Sequence, residues 1–193
     1  MASSKRDQLI DTAIALFYRD GFHATGIDRI LAESGVAKMT LYKHFKSKDE
    51  LIEAALRQRL EPSRQMMAWA LENLSPTAAI LAVFDGLHQL LHGSEFFGCA
   101  FVNAAAEFHD REHPIHRVAA MHKANAEQHF RSALERLEVP EPERLARQLQ
   151  YLMEGAITMA HMQGPAQQAL EARDAAAVLL QAAGVAVSGT PNS

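Results

Sequence analysis

The sequence contains a single cysteine and no long hydrophobic run. Cys99 stands alone among 193 residues, which excludes an intramolecular disulfide and fits a reducing compartment. No stretch approaches the roughly 18–20 apolar residues of a transmembrane helix. Asp7 and Asp11 also interrupt the N-terminal segment that would otherwise resemble a signal peptide. We therefore expect a cytoplasmic protein without a membrane partner.

The sequence also lacks the common catalytic and cofactor-binding motifs. It has no Gly-rich phosphate loop, no H-E-x-x-H and no G-x-S-x-G. We therefore expect no enzymatic activity and no cofactor. Alternating β-branched runs and Asn-Gly hairpin turns are absent as well. This pattern predicts an all-α fold.

Charge is weak and unevenly distributed. The net charge is −4, and residues 1–50 carry eight basic and seven acidic side chains against eleven and sixteen in residues 51–193. Any contact with a polyanion must therefore be local, and the sign of the difference favours the N-terminal end.

Hydrophobic spacing predicts about nine helices. Gly21 is placed to end the first helix, and Ser47 to Glu50 form a capping box before the fourth. Pro62 would normally stop that fourth helix, but the helical pattern resumes after it, so a kink is the alternative. The predicted helices cover residues 5–20, 25–34, 38–44, 48–73, 76–92, 99–108, 114–137, 143–163 and 166–187.

The segment 25–50 carries the clearest functional signal. Two short helices flank a turn at Gly35, and Thr25 with Asp28 predicts a loose capping box at the first of them. Such a pair is typical of a helix-turn-helix, whose second helix enters the major groove of DNA. At about 100° per residue, an inward Leu41 leaves an exposed set of Met39, Thr40, Tyr42 and Lys43.

This region resembles the N-terminal domain of the tetracycline-repressor (TetR) family of transcriptional regulators. The resemblance rests on Gly21-Phe22, Thr25, Ile30-Leu31-Ala32, Gly35-Val36, Thr40-Leu41-Tyr42, Phe45 and Lys48-Asp49-Glu50-Leu51. It implies a DNA-binding domain at residues 1–47 and an effector-binding and dimerisation domain at residues 48–193. It also implies a transcriptional regulator, in the family's usual mode a repressor, that binds a palindromic operator in double-stranded DNA.

The resemblance and the helix geometry together give a predicted DNA-contacting set. By the resemblance, Tyr42, His44 and Lys48 hold phosphates, while Lys38, Met39 and Thr40 approach bases. Met39 departs from the family pattern, in which a small residue, often glycine, is common. The whole predicted set is Thr25, Lys38, Met39, Thr40, Tyr42, Lys43, His44 and Lys48.

Small residues on the last two helices suggest a homodimer. They allow close helix approach, although alanine is also simply the best helix former. The TetR resemblance, with its dimerisation through these helices, favours the dimer, and two-fold symmetry suits a palindrome. The predicted interface consists of Leu149, Met153, Ala156, Ala160, Ala176 and Leu180.

The middle helices mix bulky apolar residues with a few polar ones. Small-molecule sites have this composition, and so do ordinary cores. The resemblance implies an effector cavity in this region, so we expect a small apolar or aromatic effector that releases operator. The predicted lining is Met66, Trp69, Phe84, His88, Phe101, Asn103, His122 and Tyr151.

Three alternatives remain open. Cys99 follows Gly98 at a helix start, where a thiol can become reactive, so the regulator could sense through it. His88 and His92, or the cluster of His109, His113 and His116, could bind a metal, although we predict no metal site. From a different class, the chain could be a helical interaction module without DNA binding, but its lysines argue against that.

Overall fold

The computed structural model describes residues 4–93 and 96–187, and these residues form helices and no strand. The predicted all-α class is confirmed, with nine helices in the described ranges. They are α1 (Lys5–Asp20), α2 (Ile27–Ser34), α3 (Lys38–His44), α4 (Lys48–Asn73), α5 (Pro76–Leu91), α6 (Ala100–Glu107), α7 (Pro114–Arg136), α8 (Pro142–Gln163) and α9 (Gln168–Ala182).

The ends of α1 follow local chemistry. The Ser4 hydroxyl accepts a hydrogen bond from the backbone N–H of Asp7 at 3.1 Å, which satisfies one of the unpaired amides of the first turn. At the other end Gly21 adopts φ +95° and donates its N–H to the Phe17 carbonyl. The predicted end of this helix at Gly21 is confirmed.

The start of α2 differs from the prediction. Thr25 was expected to cap it, but the helix begins at Ile27 and Gly26 occupies the cap position without a side-chain bond. The Thr25 hydroxyl donates instead to the Gly21 carbonyl at 2.7 Å, and its residue is fully buried. Thr25 therefore stabilises the turn after α1, because a buried hydroxyl needs a partner and the carbonyl is adjacent.

Helix α4 is continuous through Pro62. Its first turn is capped as predicted: the Glu50 N–H donates to the Ser47 hydroxyl at 3.2 Å. The Glu50 carboxylate reaches back one residue further than in the usual box and accepts the N–H of Lys46 at 2.7 Å. This reciprocal pair fixes the junction between α3 and α4.

The chain packs as two compact units. Unit 1 comprises Met1–Ser63 and Cys99–His122, and unit 2 comprises Arg64–Gly98 and Lys123–Ser193. Helices α4 and α7 contribute to both units. The boundaries of the packing units therefore differ from the functional boundary that we predicted. The functional boundary between residues 47 and 48 stays a prediction.

Each unit has an apolar core. In unit 1 the rings of Phe17 and Phe22 stack with centroids 5.5 Å apart. In unit 2 Phe84 of α5 stacks on Phe130 of α7 at 6.0 Å, and α5, α8 and α9 pack mutually around them. Among the described helices, none has the length and apolar content needed to cross a bilayer.

Candidate nucleic-acid interface

Helix α3 is held against unit 1 by one buried side. Leu41 is fully buried, and Val36 before the helix and Phe45 after it are buried as well. Ile30 of α2 and Leu9 of α1 are also fully buried in the same unit. These anchors fix the rotation of a helix that is only seven residues long, and short helices depend on such packing.

The opposite side of α3 faces solvent. Met39 is 78% exposed and Tyr42 is 47% exposed. Lys43 and His44 are exposed too, whereas Thr40 is half-buried. The predicted outward set is therefore presented on one surface, with Thr40 at its edge. Its contact with DNA remains a prediction.

Lys38 has a nearby acidic partner. Its ammonium lies 3.4 Å from the carboxylate of Asp28 on α2. Both side chains are well exposed, so the pair is weak and can be exchanged for a phosphate at little cost. This contact ties the first turn of α3 to the first turn of α2.

Lys48 sits at the first turn of α4 and is half-buried. Its Nζ donates to the backbone carbonyl of His23 at 3.1 Å. Burial lowers the pKa of the Lys48 ammonium, while the carboxylates of Asp49 and Glu107 act in the opposite direction. The three donors of an ammonium allow a phosphate to be added to the existing bond.

Glu107, at the end of α6, anchors the turn after α1. Its Oε1 accepts the N–H of Phe22 at 2.9 Å, and its Oε2 accepts the N–H of His23 at 2.6 Å. Burial alone would raise the pKa of Glu107, but the hydrogen bonds from the His23 and Phe22 amides and the His23 side chain outweigh it, so the pKa is lowered. The ionised carboxylate is therefore the form that holds this turn.

An aromatic column continues from this anchor. The ring of Phe108 stacks on His23 at 4.6 Å and on His113 at 4.9 Å between centroids. His113 Nε2 lies 3.4 Å from the carboxylate of Asp49 on α4. The sequence did not predict the contacts of Glu107 and Phe108 with His23. Glu107 is 84 residues from His23 along the chain, and no local sequence pattern indicates such a contact.

The structure corrects one member of the predicted DNA-contacting set. Thr25 has no exposed surface and its hydroxyl is bonded to the Gly21 carbonyl. A side chain buried beneath the turn cannot reach a phosphate. The remaining predicted contacts lie on α3 or at the start of α4.

The predicted effector residues belong to both units, five to unit 2 and three to unit 1, and their role stays a prediction. Phe84 and Phe101 are core residues, whereas Trp69 is 56% and Tyr151 66% exposed. Phe101 stacks on His122 within unit 1 at 3.9 Å. The remaining members, Met66, His88 and Asn103, are divided between the two units. The grooves found in the described residues include one at Ala124, Glu127, Gln128 and Arg131 and one at Arg6, Ile10, His44, Phe45, Glu50, Glu53, Ala54, Arg57 and Gln58. No predicted effector residue lines either groove.

The predicted dimer interface is corrected at the level of residues. Leu149, Met153, Ala156, Ala160, Ala176 and Leu180 are all buried in the core of unit 2. They fill the space between α8, α9 and α5, so they have no surface to offer a second chain. The small size that suggested contact between subunits serves close packing within one subunit.

A different stripe of α8 is exposed and apolar. Tyr151 is 66% and Met162 75% exposed, and the two lie only about 20° apart around the helix axis. Gly155 and Thr158 fall on the same stripe and are exposed. Val178 of α9 is also exposed, at 60%.

The alternative sensing residues are arranged as follows. His88 and His92 have ring centroids 4.4 Å apart, but His92 Nδ1 bonds the His88 carbonyl. His116 Nδ1 is engaged with the carbonyl of Phe108. Within residues 4–93 and 96–187, no three His, Cys, Asp or Glu side chains form a metal-binding group. Cys99 is half-buried at the N-cap of α6.

The geometry of α1 to α3 defines a helix-turn-helix protein whose second helix projects basic and apolar side chains into solvent. Two family models match the chain: bacterial regulatory proteins, tetR family, at residues 9–55, and the tetracyclin repressor-like C-terminal domain at residues 76–176. The chain therefore belongs to the TetR family of transcriptional regulators, which bind DNA and are not enzymes.

Similar proteins extend this assignment over the full fold. A TetR transcriptional regulator from Streptomyces avermitilis is 34% identical, with a TM-score of 0.83 over 95% of this chain and 100% of that one. The Streptomyces coelicolor regulator SCO4454 is 30% identical, with a TM-score of 0.87 over 93% and 95%. The transcriptional regulator YjdC of Escherichia coli K12 is 24% identical over 157 residues, 80% of this chain and 82% of its own length.

Proposed function

We propose that this regulator is a homodimeric repressor that binds a palindromic operator and is released by a small apolar or aromatic molecule. The observation that carries the proposal is the orientation of α3. Leu41 is fully buried while Met39 on the same helix is 78% exposed, and Lys43 accompanies it on the outer side. A helix fixed in this way can enter the major groove with its outer side chains towards the bases.

The DNA-contacting set in this proposal is Lys38, Met39, Thr40, Tyr42, Lys43, His44 and Lys48. From Lys38 to Lys48 the chain has four lysines, one histidine and no acidic residue. Such a basic strip raises the affinity for duplex DNA, because each lysine–phosphate contact releases a condensed counterion. The overall net charge of −4 means that affinity depends on this strip, since the chain as a whole is repelled by DNA.

The dimer in this proposal uses the exposed stripe of α8 with Val178 of α9. A contiguous apolar patch on a water-facing helix commonly marks an interface, and exposed Gly155 allows a second backbone to approach closely. Aromatic and methionine side chains such as Tyr151 and Met162 are enriched at interface cores. Two copies related by a two-fold axis would present two copies of α3 to matching half-sites.

Release by an effector is supported by the membership of residues 76–176 in the tetracyclin repressor-like C-terminal family. In unit 2, Trp69 and Met66 of α4 are exposed apolar residues, at 56% and 45%. Effector and operator would then be coupled reciprocally, each weakening the other by the same factor. Because the proposed target is chromosomal DNA, the proposal includes a cytoplasmic location.

Selection of bound sequences from a random duplex pool tests the proposal most directly. We expect a palindrome with half-site centres about one helical turn apart or a multiple of it, and an affinity that falls steeply with salt. Enrichment of no sequence at low salt would contradict it, and would favour the interaction-module alternative. A reporter placed behind the selected palindrome then distinguishes repression from activation.

The effector can be sought with the chain's single tryptophan, Trp69. Its 56% exposure makes its emission sensitive to a ligand bound beside it. We expect compounds that change this emission also to release the operator duplex. Compounds that bind without affecting operator affinity would contradict the proposed coupling.

A further inference from the structure

Met39 is an apolar side chain in a surface that otherwise suits a polyanion. It is 78% exposed, with Lys38 preceding it and Lys43 one helical turn further on. The fold does not need it for packing, because Leu41 provides the buried anchor of α3. An exposed thioether beside lysines is therefore available to an apolar group on a partner that those lysines bind.

The position of Met39 within α3 determines what it can meet. It is the second residue of the helix, which begins at Lys38, and the N-terminal residues of a recognition helix contact base edges. Lys38 is drawn sideways towards Asp28 on α2, at 3.4 Å. Met39, at 78% exposure, is therefore a long apolar side chain available to a groove at this end of the helix.

The chemistry of the thioether narrows the choice of base. Methionine has no N–H or O–H to donate and its sulfur is a weak acceptor, so it cannot read the hydrogen-bonding code of the major groove. The one apolar group on the groove edge is the C5-methyl of thymine. A cytosine methylated at C5 presents the same group from the same ring position.

We propose that Met39 recognises a C5-methylated pyrimidine in each operator half-site. This inference rests on the proposed function and adds to it a specificity residue and the chemical group that it reads. Met39 would enclose the methyl group between its thioether and the methyl of Thr40, which is half-buried at the edge of the same surface. The contact removes apolar surface of both partners from water.

The helix also predicts where this pyrimidine lies relative to other contacts. Met39 and Lys43 are four residues apart, so their side chains are neighbours about 6 Å apart. Successive base pairs are about 3.4 Å apart. The C5-methyl should therefore lie within about two base pairs of the group that Lys43 contacts. A lysine ammonium binds either guanine or a phosphate.

Replacement of each thymidine of the selected operator by deoxyuridine tests the proposal, because it removes the methyl group alone. When the sensitive position of one half-site is changed we expect affinity to fall about three- to fourfold, and when both half-sites are changed about nine- to sixteenfold. The variant Met39→Ala should bind the thymidine and deoxyuridine operators equally. Met39→Leu should retain the difference, since leucine keeps an apolar side chain of similar volume.

Leu90→Ala provides the matched control, because Leu90 is an exposed apolar residue of α5, at 56%, outside the proposed DNA surface. The Leu90→Ala variant should prefer the thymidine operator over the deoxyuridine operator by the wild-type factor. If Met39→Ala still prefers thymidine by the wild-type factor, Thr40 or Tyr42 reads the methyl and the proposal is overturned. It is overturned equally if no position of the operator distinguishes a methylated from an unmethylated pyrimidine.

A second set of duplexes, with cytosine or 5-methylcytosine at the sensitive position, distinguishes thymine from 5-methylcytosine as the base that carries the recognised methyl group. At the sensitive position, 5-methylcytosine should bind better than cytosine, again only when Met39 is present. A preference confined to 5-methylcytosine would identify the modified base as the target, and one confined to thymidine would identify the ordinary base. Failure to select any palindrome contradicts the proposed function itself, whereas a palindrome with a flat methyl profile contradicts this inference alone.

Discussion

Two exposed methionines occupy very different surroundings in this protein. Met39 on α3 and Met162 on α8 are 78% and 75% exposed. Met39 is surrounded along its helix by lysines, a tyrosine and a histidine, while Met162 shares a stripe with Tyr151, Gly155 and Thr158. We therefore expect the same flexible side chain to meet operator DNA at α3 and an apolar helix of a second subunit at α8.

The comparison shows that exposure alone does not identify a partner. In the DNA-facing region the apolar residue is isolated within a basic strip, so it adds selectivity to a contact whose affinity comes from charge. In the α8 region the exposed apolar residues lie along one stripe, so in the proposed dimer we expect them to supply the affinity themselves. Four predictions test the contrast between the α3 and α8 regions and between the units that contain them.

The largest effect is expected when the α8 stripe is charged. The double variant Tyr151→Glu, Met162→Glu should be monomeric by analytical ultracentrifugation, because two-fold symmetry brings like charges together. Its operator affinity should fall about 100-fold or more, since the second half-site is no longer bound intramolecularly. Leu90→Glu, at another exposed apolar position, should remain dimeric. A dimeric double variant would remove α8 from the proposed interface.

The next largest effect separates the two sides of α3. Leu41→Ala should lower the free energy of unfolding of unit 1 by about 2–5 kcal/mol, because it opens a cavity at a fully buried position. Met39→Ala, two residues earlier and 78% exposed, should change it by no more than about 0.5 kcal/mol. Chemical denaturation of both variants measures this difference. Equal losses would show that Met39 packs inside the unit.

A smaller effect is expected from the basic strip. Lys43→Ala should reduce the slope of log affinity against log salt by about one per half-site, because one phosphate contact is lost. Arg144→Ala is the control, since Arg144 is exposed on α8 and pairs only with nearby Glu141 in the contacts seen here. A slope unchanged by Lys43→Ala would assign Lys43 to a base, or to no contact at all.

The smallest effect compares the two units under acid. Burial lowers the pKa of His129 in unit 2, although the carbonyls of Ala79 and Met67 oppose the shift. The unfolded chain therefore binds the proton more tightly, and stability present above about pH 6.5 is lost as pH falls towards the folded pKa. Glu107 in unit 1 also has a lowered pKa, so its contribution is present above about pH 4.5 and lost below it.

Hydrogen exchange as a function of pH can resolve the two units. Protection in unit 2 should begin to fall at a higher pH than protection in unit 1, with a slope of up to about 1.4 kcal/mol per pH unit for one proton. His129→Leu should reduce the pH dependence of protection in unit 2 below about pH 6.5. Glu107→Gln should reduce that of unit 1 below about pH 4.5. Phe130→Leu, which disturbs the same core without removing a titrating group, should lower protection but keep the slope.

Much of the DNA-binding region could be predicted because its signals are local. The helix pair, the turn at Gly35, the Ser47 cap and the inward direction of Leu41 all follow from residues within about ten positions of one another. Thr25 was assigned to the wrong role for a specific reason. Its hydroxyl has two possible partners, a helix amide ahead and the Gly21 carbonyl behind, and only the closed turn favours the second.

The α8 and α9 region was predicted less well because its pattern is ambiguous. An α-helix with small residues on one face and Tyr151 and Met162 on the other can bury either face. Composition alone left the alanine face open between a subunit contact and an ordinary helix, and the TetR resemblance favoured the subunit contact. That face packs into the core of its own unit. The predicted effector set stays a prediction, and its members belong to two different packing units, which hydrophobic spacing could not indicate.

The sequence by itself determined the helices, the basic strip and membership of a DNA-binding class, because helix periodicity, capping and charge are properties of short segments. Only the tertiary structure decided which faces are buried. It placed Ala156 and Ala160 inside and Met162 outside, and it brought Glu107 to the amides of Phe22 and His23. Such choices depend on which segments, distant along the chain, can exclude water together, and no local pattern contains that information.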